Sequence, residues 1–183
     1  MTEVVRLTLI SHAMTEAMAA GRFPADEPLN DVGRRQAAAA AGPGVPTAGR
    51  EFAGPERRAR QTAELLGLSA AAEPRLADLD CGRWRGEALA ALPPADLEAW
   101  LTEPARAPHG GESIVDLVDR VAGWLKSLTD KALPTVAVTH PAVVRAAILA
   151  ALDIPPASFW RVDVAPAGRV VMHFRAGHWT LRL

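Results

Sequence analysis

Apolar and polar positions fall along this chain in blocks that read alternately as strands and helices. Val4 to Ile10 is an apolar run rich in β-branched residues and leucine, too short for a typical helix. It predicts a buried strand that hands over to Ser11 and His12. Pro134 to His140 (PTVAVTH) repeats the arrangement far downstream, with a strand over Thr135 to Thr139. Ile114, Leu117, Val118, Val121, Leu125 and Leu128 recur at helical spacing, and Ser113 with Asp116 matches a capping box, so a helix with one buried face is predicted there.

Weaker signals fill the remainder. Asn30 or Asp31 can cap a helix running to Ala41, which Gly42-Pro43-Gly44 ends. Arg50 to Ala53 predicts a short strand, followed by a helix from about Pro55 to Leu66 with proline in its first turn. Glu73 to Leu76 reads as another short strand and Asp78 to Gly86 as loop. Ala88 to Leu101 reads as a small helical insertion broken at Pro93-Pro94, and Ala142 to Leu152 as an apolar helix. In the tail, Arg161 to Val164, Arg169 to Phe174 and Trp179 to Leu183 suggest two or three strands, with turns at Ala167-Gly168 and Ala176-Gly177. Strands alternating with helices imply an α/β three-layer sandwich: a mostly parallel sheet with helices on both faces and an antiparallel edge. If the two histidine-ending strands lie parallel and adjacent, both imidazoles face one crevice at the carboxyl end of the sheet, where ligands bind in such folds.

Composition narrows the function. The 183 residues suit a single domain spanning 1–183, and 49% hydrophobic residues allow a sizeable core. Twenty basic residues against 21 acidic give a net charge of −1, so no global field favours nucleic acid or a membrane surface. The single cysteine, Cys81, excludes an intrachain disulfide and a cysteine-rich metal site. No signal peptide or membrane span is legible, and a cytoplasmic location is expected.

His12 and His140 are the first candidates for chemistry; the plainer reading of each is a buried histidine bonded to backbone. Arg57, Arg58 and Arg60 sit in the first turns of a helix, where free N–H groups and guanidinium donors favour phosphate, although at least one of the three must face solvent. Asp78 and Asp80 flank a loop where a carboxyl group could protonate a leaving group, or merely cap a turn.

In this order the pieces resemble the histidine phosphatase superfamily, which contains the phosphoglycerate mutase-like enzymes. Ser11-His12-Ala13 occupies that family's Arg-His-Gly motif, and Thr15 is retained. Gly21 to Ala37 (GRFPADEPLNDVGRRQA), Arg57 to Leu66 (RRARQTAELL), Leu76 to Gly86 (LADLDCGRWRG), Gly110 to Ser113 (GGES) and Val136 to Arg145 (VAVTHPAVVR) are similar to its further motifs, collinearly over residues 4 to 152. The resemblance implies a phosphomonoester hydrolase acting through a phosphohistidine on a small phosphorylated molecule. His12 would be the nucleophile, and Arg58 and His140 would neutralise the phosphoryl oxygens. Asp78 would be the proton donor, and Arg22, with Ser11 and Thr15, would complete the substrate contacts. It implies no metal or other cofactor, no nucleic acid or membrane partner, and a monomer or homodimer.

The motif is degenerate. Ser11 replaces the family's arginine, Ala13 its glycine and Met18 an asparagine common there. Pro141 removes a backbone N–H beside His140, and Asp78 stands where glutamate is usual. A hydrogen bond to a charged group contributes about 1.5–3 kcal/mol, so the pocket is expected to be weakened. The alternative is a catalytically inactive relative that binds a phosphorylated ligand or a protein partner. A third class is a metal-dependent hydrolase using His12 and His140 with Asp78, Asp80 or His109. His173 and His178 read as edge or surface residues.

Overall fold

The computed structural model describes residues 4–46 and 49–183. β1 (Val5–Ser11) leads through α1 (Glu16–Ala19) and α2 (Asp31–Ala40) to β2 (Arg50–Ala53), α3 (Arg57–Leu65) and the two-residue β3 (Ala71–Ala72). α4 (Pro94–Thr102), α5 (Ile114–Leu128), β4 (Thr135–Thr139) and α6 (Pro141–Ala151) follow. A closing hairpin is formed by β5 (Arg169–Arg175) and β6 (His178–Arg182). The six strands lie in the order β3-β2-β4-β1-β5-β6, parallel from β3 to β1 and antiparallel across the last two pairings.

The expected layers are present. Leu7, Leu9 and Ala137 point to the face covered by Leu117, Val121 and Leu125 of α5 and Val143 and Ala147 of α6. Ile10, Val136 and Val138 point to the other face, against Ala63 and Leu66 around α3. Six of the seven β1 residues are buried, as a strand covered on both faces requires. Ser113 caps α5, accepting from Asp116 N at 3.1 Å, and Asn30 caps α2 through Gly33 N.

Three sequence expectations are corrected. The strand expected at Glu73 to Leu76 lies earlier, at Ala71–Ala72. Pro74 cannot donate to a sheet ladder, and Glu73 instead caps a 3-10 turn over Pro74–Leu76. The strand expected at Arg161 to Val164 is absent, because Pro155 and Pro156 open a 3-10 helix, Pro156–Arg161, that consumes its start. α3 begins at Arg57, not Pro55, since Glu56 keeps extended backbone as its N-cap. The insertion is helical where expected, with Pro94 at the first position of α4.

Candidate active site

β1 and β4 are neighbours in parallel register, with Ser11 opposite Thr139, so the next residue of each strand lies at the same sheet edge. His12 N donates to Thr139 O at 2.8 Å, and the two imidazole rings stand 5.2 Å apart, edge on. Both histidines are buried.

His12 Nδ1 lies 2.8 Å from Ala13 O. A carbonyl only accepts, so Nδ1 carries the proton and Nε2 keeps its lone pair. Burial, then the neighbouring charge of His140, lowers the His12 pKa from 6.5 to about 3, which leaves it neutral over the ordinary pH range. A buried, neutral imidazole with one nitrogen anchored is a ready nucleophile. Ala13 is not among the four described non-glycine residues with positive φ (Asp26, Asp153, Ala167, Ala176), so exchanging glycine for alanine leaves no strain there. The turn is instead clamped from outside: Ala13 N donates to Thr62 Oγ1 and Met14 N to Gln36 Oε1. Gly33 approaches so closely that a Cβ there would stand 2.0 Å from Met14 O.

Arg58 is 2% exposed and donates through Nη2 to Asp78 Oδ2 at 2.6 Å. Its Nε and Nη1 are buried without a protein partner, as is Nδ1 of His140. Buried polar atoms of this kind are rarely left unmatched, and Arg58 borders the cavity in front of His12. The other two candidates in that run are accounted for: Arg57 and Arg60 are exposed. Burial would raise the Asp78 pKa, but the charge of His140 and the charge and hydrogen bond of Arg58 outweigh it and bring it down to about 2. Asp78 is therefore an anion at rest.

Glu56 was missed by sequence reasoning. Its Oε2 stands 2.6 Å from His140 Nε2, and its Oε1 accepts Asp78 N–H at 2.9 Å. Burial alone would raise its pKa, yet the His140 hydrogen bond and charge make the net shift downward. A carboxylate accepts, so His140 Nε2 carries a proton.

A cavity of about 170 Å³ opens in front of His12, with apolar walls that include Met18, Phe23, Leu79, Trp100 and Trp160. Arg22 is exposed at its rim, its Nη1 3.4 Å from Gly86 O, and Arg145 borders it while donating Nε to Val162 O. Thr15 lines it with Oγ1 already accepting Met18 N as the cap of α1. Ser11 is fully buried, its Oγ without a protein partner, and Pro141 is the first residue of α6. Burial raises the Cys81 thiol to about 12, so it is no nucleophile. Asp80 turns outward to Gly82 N and Arg85, and His109 is buried against Trp84 and Gly111 N. Among the described residues no group of three or more His, Cys, Asp or Glu is placed to hold a metal ion. No helix of the structure is long and apolar enough to cross a membrane. His178 is exposed on the edge strand and His173 is half-buried on β5.

The His12 shift sets a pH dependence of stability. Unfolded, the ring titrates near 6.5; folded, near 3. Between those values the unfolded chain binds the extra proton, so folding weakens as pH falls. Asp78, lowered from 3.8 to about 2, acts in the same direction further down. Unfolding free energy from denaturant titrations is expected to drop by about 3 kcal/mol between pH 7 and pH 4 through His12. His12→Asn should lose most of that slope. Equal slopes in the two proteins would show that His12 is not held neutral.

A family model described as histidine phosphatase superfamily (branch 1) matches residues 7–183. The chain is 34% identical over 177 residues to the glucosyl-3-phosphoglycerate phosphatase of Mycolicibacterium vanbaalenii, covering 83% of this chain and 76% of that one. It is 29% identical over 187 residues to phosphoserine phosphatase 1 of Hydrogenobacter thermophilus, covering 93% and 87%. Among solved structures, a mycobacterial glucosyl-3-phosphoglycerate phosphatase complexed with VO3 superposes with a TM-score of 0.87 at 28% identity, covering 98% of each chain.

Proposed function

The chain belongs to the histidine phosphatase superfamily, branch 1, and from that membership we propose that it hydrolyses phosphomonoesters of small molecules in two transfers through a phosphohistidine on His12. The observation that carries this reading is the free Nε2 of a neutral His12 beside an Arg58 guanidinium with two buried, unmatched donors. Nε2 attacks phosphorus in line, the P–O bond breaks, and its electron pair leaves with the alkoxide, which takes a proton. Water then attacks the phosphorus, and the P–N bond returns its pair to Nε2. Each displacement is easier than a single attack by water on the ester. Arg58 holds the charge that stays on the equatorial oxygens throughout. Relatives that act on phosphoserine and on glucosyl-3-phosphoglycerate support a small phosphorylated substrate. The pocket is weakened by Ser11, which brings a hydroxyl where the family has a second guanidinium.

That same position favours the second reading, a relative that binds a phosphorylated ligand without turnover. Mixing with 4-nitrophenyl phosphate separates the two. The enzyme releases a burst of 4-nitrophenol stoichiometric with protein and carries an acid-labile phosphoryl group on His12. Anion binding without release of the phenol supports the inert reading.

A further inference from the structure

We propose that Glu56, His140 and Asp78 form a proton relay that serves the leaving group, with Asp78 at its outer end; the relay rests on the phosphohistidine reading. Asp78 borders the cavity in front of His12 and also a second opening of about 430 Å³ on the side of Glu56. His140 is fully buried behind it, with Nδ1 at 3.5 Å from Asp78 Oδ2 and Nε2 at 2.6 Å from Glu56 Oε2. One imidazole thus stands between two carboxylates, the inner one close and the outer one beside the cavity. Gly54 makes the inner pair possible: a Cβ there would lie 2.9 Å from His140 Nε2 and 3.2 Å from Glu56 Oε2. Glu56 also fixes the outer carboxylate, since its other oxygen holds Asp78 N–H.

The arrangement supplies what Asp78 alone lacks. An anionic Asp78 paired with Arg58 has no proton to give, whereas His140, with Nε2–H bound by Glu56, can carry a second proton on Nδ1. As the P–O bond breaks, the Nδ1 proton passes to Asp78 and from Asp78 to the departing alkoxide. Asp78 ends as it began, an anion beside Arg58, and His140 ends neutral with Nε2–H still on Glu56. In the second transfer the attacking water returns a proton by the reverse path. The charged and titratable groups facing His140 are His12 just after β1, Glu56 at the N-cap of α3, and Asp78 from the loop after the 3-10 turn at Pro74–Leu76, itself paired with Arg58 of α3. Asp78 is the catalytic residue of the three; His140 and Glu56 act through it.

A relay of this kind matters only when the leaving group needs a proton. Glu56→Gln and Asp78→Asn are therefore compared on glycerol 3-phosphate, an alkyl ester, and on 4-nitrophenyl phosphate, whose phenolate leaves unprotonated. Both variants are expected to lose on the order of 10²-fold in kcat/KM on the alkyl ester, the usual range for general acid catalysis, and at least tenfold less on the aryl ester. Equal losses on the two esters, or no loss for Glu56→Gln on the alkyl ester, would overturn the relay and leave Glu56 a packing residue. The wild-type protein gives a reading that needs no variant to fold. Across a series of alkyl phosphates, kcat/KM should depend only weakly on alcohol acidity, because the oxygen is protonated as it leaves. A steep dependence would overturn the relay. Its failure is distinct from failure of the phosphohistidine scheme, since an acid-labile phosphoryl group on His12 persists in the first case and never forms in the second, where the relay falls with it.

Discussion

His12→Ala is expected to hydrolyse 4-nitrophenyl phosphate on the order of 10³-fold or more slower than wild type, the scale of loss seen when a covalent nucleophile is removed. It should form no acid-labile phosphoenzyme. Binding should survive, because Nε and Nη1 of Arg58 lie on a separate element and do not depend on His12 for their placement. The loss therefore falls on kcat, while inhibition by inorganic phosphate stays within about tenfold of wild type. Removing the ring also removes a partner of His140 at 5.2 Å, so some loosening of the pocket is built into the comparison. His12→Asn, closer in shape, should give the same loss. Hydrolysis at the wild-type rate by either variant would defeat the phosphohistidine scheme outright.

The strand that ends at His12 is the most legible part of the sequence, and for a physical reason. A strand covered on both faces must be apolar almost throughout, so its end is marked by the first polar residues, here Ser11 and His12. Thr135 to Thr139 carries the same mark, and the parallel pairing follows from the strand-helix alternation between them. Helix α5 was legible because its apolar period and its cap agree. The short elements were not. Two-residue β3 has exposed alanines and no pattern to read, and the proline-opened 3-10 turns look like polar strands in a one-dimensional pattern.

Among the site residues, those with a role in the family motif could be placed, while their supports could not. Glu56 reaches His140 across 84 residues of sequence, and in the one-dimensional pattern it is only an acid between a proline and an arginine at a helix start. Thr62 reads as a mid-helix threonine, although it accepts from Ala13 N and donates to Arg58 O, tying the turn after His12 to α3. The resemblance gives Asp78 the proton donor's place but says nothing of the charged neighbours that lower its pKa. The neighbouring charges that decide this come together only on folding. The degenerate positions prove unequal. Ala13 costs the backbone nothing and Pro141 is a favoured first residue for α6, whereas Ser11 leaves a buried hydroxyl without a protein partner.

Arg58→Ala should injure both activity and stability, and the two losses can be separated. Removing the guanidinium takes two free donors from the phosphoryl site, for which a loss of about 10²–10³-fold in kcat is expected. It also strips the 2.6 Å partner from Asp78, leaving a largely buried carboxylate with one oxygen on Leu79 N–H at 2.8 Å and the other 3.5 Å from His140 Nδ1. Breaking a buried ion pair from one side costs about 3–5 kcal/mol. At roughly 2–4 °C per kcal/mol for a chain of this size, the melting temperature should fall by about 6–20 °C. Replacing the pair together, as Arg58→Met with Asp78→Leu, removes the orphaned charge and fills the same space with apolar atoms. Stability should then return to near or above that of wild type. Hydrolysis should not return, because the double variant has neither the donors for the transferred phosphoryl group nor the outer end of the relay. Calorimetric melting and steady-state rates on the three proteins check the two halves independently. A melting temperature within about 2 °C of wild type for Arg58→Ala would mean that Asp78 finds other solvation and that the pair contributes little. Recovery of turnover in the double variant would remove Arg58 from the phosphoryl site altogether.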